Sequence, residues 1–305
     1  MDFCCTGSCF ICSHASSITL KKNKLSDKLD LSEFEELVFL DISHNKIKSV
    51  EVPQIEKMSF IDLSYNHIDM LSDDIIEQAE RIKNNDITPS VNVFCNLLSN
   101  NNILNNKVFK FRNEKGVDFT CDEHQKYIDK IKSILSECVN ENWNDTEKAI
   151  AIFNYIKNNA KYDYELPEND PPPFNHISHT EYGTLINKVA VCDGFSYAYR
   201  DLLHHVDIDA IVYHGDWSST TDGSSHAWSL VKINGEYYHC DLTWEVGLAG
   251  YVEELRNFGM SDKTMLEKSY ILLDKSAPKC LSDMDETMIN NTLIKVKALE
   301  RQVIE

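Results

Sequence analysis

The chain has 305 residues, 42% of them hydrophobic and 26% charged, with a formal charge of −19. That balance belongs to a globular protein of one large or two ordinary domains, and excludes a disordered chain, which would be poorer in apolar residues. The negative charge argues against a nucleic-acid partner, because phosphate binding needs a basic surface. The longest apolar runs, such as Ala149 to Phe153, are far too short for a membrane span.

Cys4, Cys5, Cys9 and Cys12 crowd the first segment, residues 1–16. No basic stretch followed by an apolar run opens the sequence, so no secretory signal is read and a cytoplasmic location is expected. Cysteines scattered through such a chain read as reduced thiols. Cys9 and Cys12 form one CxxC, half of a zinc site. No second CxxC follows, and no metal is expected. No phosphate-cradling loop or other cofactor motif occurs.

Residues 17–106 repeat. ITLKKNKL from Ile18, LVFLDISHNKI from Leu37 and MSFIDLSYNHI from Met58 align with Asn23, Asn45 and Asn66 in register. A weaker copy, VNVFCNLL from Val91, puts Asn96 in the same slot, and the gap from Asp73 to Asn85 reads as helix. In each copy a short strand buries apolar residues, Leu40 and Ile42 and then Ile61 and Leu63. The Asn then turns the chain by bonding backbone groups that would otherwise be buried unpaired. The pattern resembles the leucine-rich repeat, whose units must stack because none can bury its own apolar face. Phe39, Asp41, Phe60 and Asp62 alternate outward from the strands. They offer either a surface for a protein partner or part of a cap on the domain that follows. Asn100 to Asn106 reads as a connection.

The third segment, residues 107–285, opens with two helices. Tyr127, Ile128, Ile131, Ile134, Leu135 and Cys138 fall on one helical face, and Asn144 with Glu147 forms a capping box for the next helix. Glu165 to Ser178, with Pro167 and Pro171 to Pro173, must be loop. Residues 286–305 read as a helical tail.

Three blocks carry chemistry: KVAVCDGFSYAYRDLLHHV from Lys188, SSHAWSLVKI from Ser224 and EYYHCDLTWE from Glu236. Phe195, Tyr199, Leu202, Leu203 and Val206 recur at helical spacing after Cys192. Cys192 therefore stands at a helix N-terminus, where unpaired N–H groups and the helix dipole favour a thiolate. Asn234-Gly235 is a type I′ hairpin signal. Pairing outward from it sets Ile233 opposite Glu236 and His226 opposite Thr243. Asp241 is then the diagonal neighbour of His226, about 7 Å away or less between Cβ atoms.

A Cys at a helix start facing a His–Asp pair is the nucleophile, base and orienter of thiol acyl transfer. These blocks, with NAKYDYE, Tyr182-Gly183 and FGMSDKTM, resemble the transglutaminase-like superfamily. The resemblance implies an α+β fold, a papain-like core in which the Cys-bearing helix packs on an antiparallel sheet, here preceded by a short leucine-rich repeat solenoid. It also implies a catalytic triad of Cys192, His226 and Asp241, acting on a carboxamide or peptide bond of a protein or peptide through an acyl-thioester. Tyr182 is a candidate oxyanion donor or rim residue. His239, Trp228 and Trp244 read as packing residues, Cys240 as an inert thiol, and Trp217 as part of a surface loop. Two alternatives stand beside this reading. One is a repeat-based binding module with an inactive transglutaminase-like scaffold. The other is a peptide N-glycanase-like amidase, which would carry two zinc CxxC pairs.

Overall fold

The computed structural model describes residues 15–54, 57–84, 91–98, 108–166, 176–218 and 224–304. The four N-terminal cysteines, the connection at 100–106 and the proline run lie outside them. The described chain forms two compact units, Met1–Ile128 and Asp129–Glu305.

In the first unit, β1 (Ser17–Thr19), β3 (Phe39–Asp41), β5 (Phe60–Asp62), β6 (Val91–Asn92) and β7 (Phe109–Arg112) lie side by side in parallel, and β8 (Asp118–Phe119) returns antiparallel to β7. A second parallel pair joins β2 (Ser26–Asp30) to β4 (Lys46–Glu51), and helix α1 (Asp73–Asn84) fills the long gap before β6. Because β7 extends this sheet, the compact units divide later than the 106/107 boundary read from the sequence. The division falls inside α2 (Cys121–Cys138).

The repeat is one of backbone as well as sequence. Lys22, His44, Tyr65 and Cys95, each one residue before a repeated Asn, all take a left-handed φ between 53° and 57°. The side chain of that Asn then ties two turns together. Asn66 Nδ2 donates to Leu63 O in its own turn and to Ile42 O in the turn before, each at 3.0 Å, and its Oδ1 accepts Ile47 N at 3.1 Å. Asn45 and Asn96 make the same three kinds of bond. Leu40, Ile42, Ile61 and Leu63 between them are fully buried. On the other face Phe39 and Phe60 stack at 4.5 Å between centroids.

In the second unit, the antiparallel sheet runs in the order β13 (Glu236–Cys240), β12 (Ser224–Ile233), β11 (Ala210–Trp217), β14 (Tyr270–Ile271). Helix α4 (Cys192–His204) packs on β11 and β12, and α3 (Asp145–Asn159) packs on α4. The capping box at Asn144 is present: its side chain accepts Glu147 N, and Glu147 Oε2 accepts Asn144 N, each at 3.0 Å. Two short helices follow, α5 (Leu242–Gly247) and α6 (Asp262–Glu267). The C-terminal helix α7 (Glu286–Ile304) packs on α3 and buries Ile289, Leu293 and Val296. Among the described residues no helix is long and apolar enough to cross a membrane.

Candidate active site

Cys192 is the first residue of α4 and half-exposed. The chain reaches it through β9 (Lys161–Tyr162) and β10 (Val189–Ala190), which pair in parallel, and Val191 N donates to Ser178 O at 2.9 Å. Gly194 permits this approach. A Cβ there would lie 2.5 Å from Ser178 O and 3.0 Å from Thr180 O, against backbone that cannot yield. The segment 177–180 is thereby held against the first turn of α4, and the thiol stands at the helix end with its N–H groups directed outward.

His226 stands on β12, opposite Gly215 of β11. The hairpin register is as expected from Ile233–Glu236 through Ser229–Cys240. The strand then stops. Pairing does not continue to His226 and Thr243, because Asp241 N donates to Asn257 O and Asp241 becomes the N-cap of α5, its Oδ1 accepting Thr243 N at 2.8 Å. The turn brings the carboxylate to the imidazole: His226 Nε2 and Asp241 Oδ2 are 2.7 Å apart.

An Asp carboxylate receiving several N–H and O–H groups is an acceptor, so Nε2 is the donor, and Nδ1 is the ring nitrogen left to take a proton. Burial works against the charged imidazole. Its hydrogen bond to Asp241 and the neighbouring Cys192 thiol outweigh that and push the His226 pKa up to about 10. Asp241 itself is fully buried. Its carboxylate is completed by a residue the sequence reading did not single out, Tyr270 of β14, whose hydroxyl donates to Oδ2 at 2.7 Å.

A buried ion pair supports the turn that holds Asp241. Lys157 of α3 and Glu245 of α5 are 3.1 Å apart and almost wholly out of solvent. Lys157 Nζ donates to the carbonyls of Val252 and Glu254, and Glu245 Oε1 accepts Asn257 N at 2.7 Å. The pair therefore fastens the segment 252–257 whose Asn257 carbonyl receives Asp241 N.

The remaining candidates separate cleanly. Tyr182 is buried at the head of a π-helical turn, Gly183–Asn187. Cys240 is fully buried, and burial pushes its thiol pKa up, as fits an inert core thiol. Trp228 is core, but Trp244 is not: it is 40% exposed and lies against Trp217 (4.8 Å between centroids) and His226 (6.4 Å). Asp41 and Asp62 on the repeat unit are half-buried, and each bonds the Ser two residues on, Ser43 and Ser64. Burial raises the Asp62 pKa.

His239, Asp262 and Cys280 bring a nitrogen, an oxygen and a sulfur within 4.8 Å of one another. The hydrogen bonds oppose a metal there. Trp228 Nε1 is donor-only and gives its hydrogen to His239 Nδ1 at 2.8 Å, so the neutral ring carries its proton on Nε2, pointed at Asp262 at 3.0 Å. No ring lone pair remains for an ion.

Residues 132–242 match the family model described as the Transglutaminase-like superfamily. The second unit thus contains a transglutaminase-like domain, a class associated with thiol-dependent catalysis. Among the solved structures similar to parts of the chain are two. One is a cysteine protease-like protein of Cytophaga hutchinsonii, at 21% identity over 38% of this chain and 37% of that one, with a TM-score of 0.31. The other is described as a TGase, at 17% identity over 59% of this chain and 48% of that one, with a TM-score of 0.35. The chain spans less than half the length of either. No curated protein matches it.

Proposed function

We propose that the chain is a thiol-dependent enzyme acting on a carboxamide or peptide bond of a protein or peptide, with Cys192 as nucleophile, His226 as base and Asp241 as orienter. The observation that carries this reading is a half-exposed thiol at a helix start, beside a buried imidazole whose Nε2 is held by a buried carboxylate. The Cys192 proton passes to His226, and the sulfur attacks the carbonyl carbon. The backbone N–H of Cys192 is the candidate donor to the oxyanion. Collapse of the tetrahedral intermediate breaks the C–N bond while His226 protonates the leaving amine. The acyl-thioester is then taken by water or by an amine, His226 accepting that group's proton and returning it to the thiol.

The acceptor decides between hydrolysis and cross-linking. The test is ammonia release from glutamine-bearing peptides, with and without an added primary amine. Release by the wild type that is lost in Cys192→Ala supports the reading. Amine incorporation assigns transfer, and its absence assigns hydrolysis. No release and no cleavage of any peptide tested would contradict it.

We further propose that the first unit is a short leucine-rich repeat solenoid that takes a protein partner on the face bearing Phe39, Asp41, Phe60 and Asp62. The parallel strands, the left-handed residue before each Asn and the Asn bonds between turns support the solenoid. The stacked Phe pair supports the surface. Loss of a co-purifying partner in Phe60→Ala, with Cys192 reactivity unchanged, is the expected result.

A further inference from the structure

Asp241 Oδ2 receives two donors at the same distance, His226 Nε2 and the Tyr270 hydroxyl, each 2.7 Å away. Oδ1 receives a third, Thr243 N, at 2.8 Å. Tyr270 lies 29 residues beyond Asp241 in sequence and outside the stretch that matches the family model. We propose that Tyr270 is a positioning residue for the thiol site: its hydroxyl locks the Asp241 carboxylate and shares its negative charge, so that His226 is held in place yet can release its proton. The proposal rests on the reading of Cys192, His226 and Asp241 given above.

Several observations separate this role from packing. The strand carrying Tyr270 is held by main-chain pairing, Trp217 with Tyr270 and Asp216 with Ile271. The ring is held edge-on to Trp228 at 5.2 Å between centroids. A phenylalanine would satisfy both contacts. The hydroxyl is therefore additional to what the fold needs, and it sits where the residue is only 3% exposed. Burying a hydroxyl costs free energy unless it is hydrogen-bonded.

The direction of its bond is fixed by Asp241: a carboxylate only accepts, so the phenol gives its one hydrogen to Oδ2. Burial and Asp241 both push the phenol pKa up, which keeps it a donor across the working range.

The consequence for His226 is one of degree. A carboxylate with no competing donor would put all its charge on the imidazolium and retain the proton too firmly for transfer to a leaving amine. A second donor on the same oxygen draws part of that charge away. Among the described residues the titratable groups facing the His226–Asp241 pair are Cys192 and Tyr270, with the buried thiol of Cys240 beside Asp241. Glu245 and Lys268 act from farther out, and Lys157 is paired to Glu245.

The experiment follows Cys192 alkylation by iodoacetamide against pH, where the upper limb reports deprotonation of His226, together with NMR titration of the His226 ring. Tyr270→Phe is expected to move both upward by about 0.5–1 pH unit. Replacing Tyr270 by 3-fluorotyrosine, a stronger donor of the same shape, should move them downward, and this arm stands even if Tyr270→Phe folds poorly. In an Asp241→Asn background the Tyr270→Phe shift should vanish, which a purely structural role would not produce. If both Tyr270 replacements leave the limb in place while His226→Ala abolishes it, Tyr270 is only packing. If His226→Ala leaves the wild-type profile unchanged, the thiol reading itself fails and the proposal falls with it.

Discussion

Two buried histidines, one in each compact unit, sit in opposite charge states at neutral pH. His124, on the repeat side, is stacked against Phe111, with Phe94 nearby, and its Nε2 accepts Cys95 N at 3.2 Å. Burial alone drives its pKa down to about 3. His226 is also buried, yet its pKa is pushed up to about 10 because a carboxylate and a thiol hold it. His239 shows that a carboxylate is not sufficient. It faces Asp262, but burial still lowers its pKa, and its other nitrogen accepts a hydrogen from Trp228. An imidazole keeps a charge in the interior when both nitrogens face groups that favour the cation, and His226 alone of these three has that surrounding.

The largest effect should come from removing the support beneath the charged site. Lys157→Met or Glu245→Gln leaves one buried charge without its partner and should cost about 3–5 kcal/mol, read by denaturant unfolding. The double replacement should recover part of that loss. On the repeat side no charge is at stake, only the amide that ties two turns. Asn66→Ala leaves the buried N–H of Ile47 unpartnered and takes one of two amide donors from the carbonyls of Ile42 and Leu63, which keep Asn45 and Asn96, and should cost about 2 kcal/mol.

The two imidazoles also predict opposite pH windows for stability. His124 has a folded pKa below that of the unfolded chain, so its share of stability is intact above about pH 6.5 and is lost as pH falls toward 3. His226 has a raised folded pKa, so its share is full below about 6.5 and is lost as pH rises through about 10. Unfolding followed against pH in His124→Phe should lose the acid-side slope, and in His226→Phe the alkaline-side slope. The smallest effect expected is Asn144→Ala, about 1 kcal/mol from the lost cap of α3, measured by thermal unfolding.

What could be read in advance was local. The Asn-Gly turn, whose two residues take φ of 52° and 91°, fixed the hairpin register and so placed Asp241 near His226. The capping box at Asn144, the repeat spacing and the helix after Cys192 are equally local patterns. The stop of β13 at Cys240 was not legible, because it depends on Asn257, which has no signal in the hairpin sequence. Tyr270 escaped for the same reason: it arrives on a two-residue strand that only tertiary pairing defines. Trp244 reads as a packing aromatic by residue type, but it stands past the strand end on α5, which leaves it 40% exposed. Ile289, Leu293 and Val296 at helical spacing could have shown that the C-terminal helix packs rather than trails.

The central claim is that Cys192 and His226 act as an ion pair, and the rate of Cys192 alkylation at pH 6 tests it most directly. An ordinary thiol, with a pKa of about 8.5, is almost wholly protonated there and reacts slowly. The account predicts rapid labelling of Cys192 in the wild type and a fall of about 100-fold or more in His226→Ala. Slow labelling in the wild type, unchanged when His226 is removed, would contradict it.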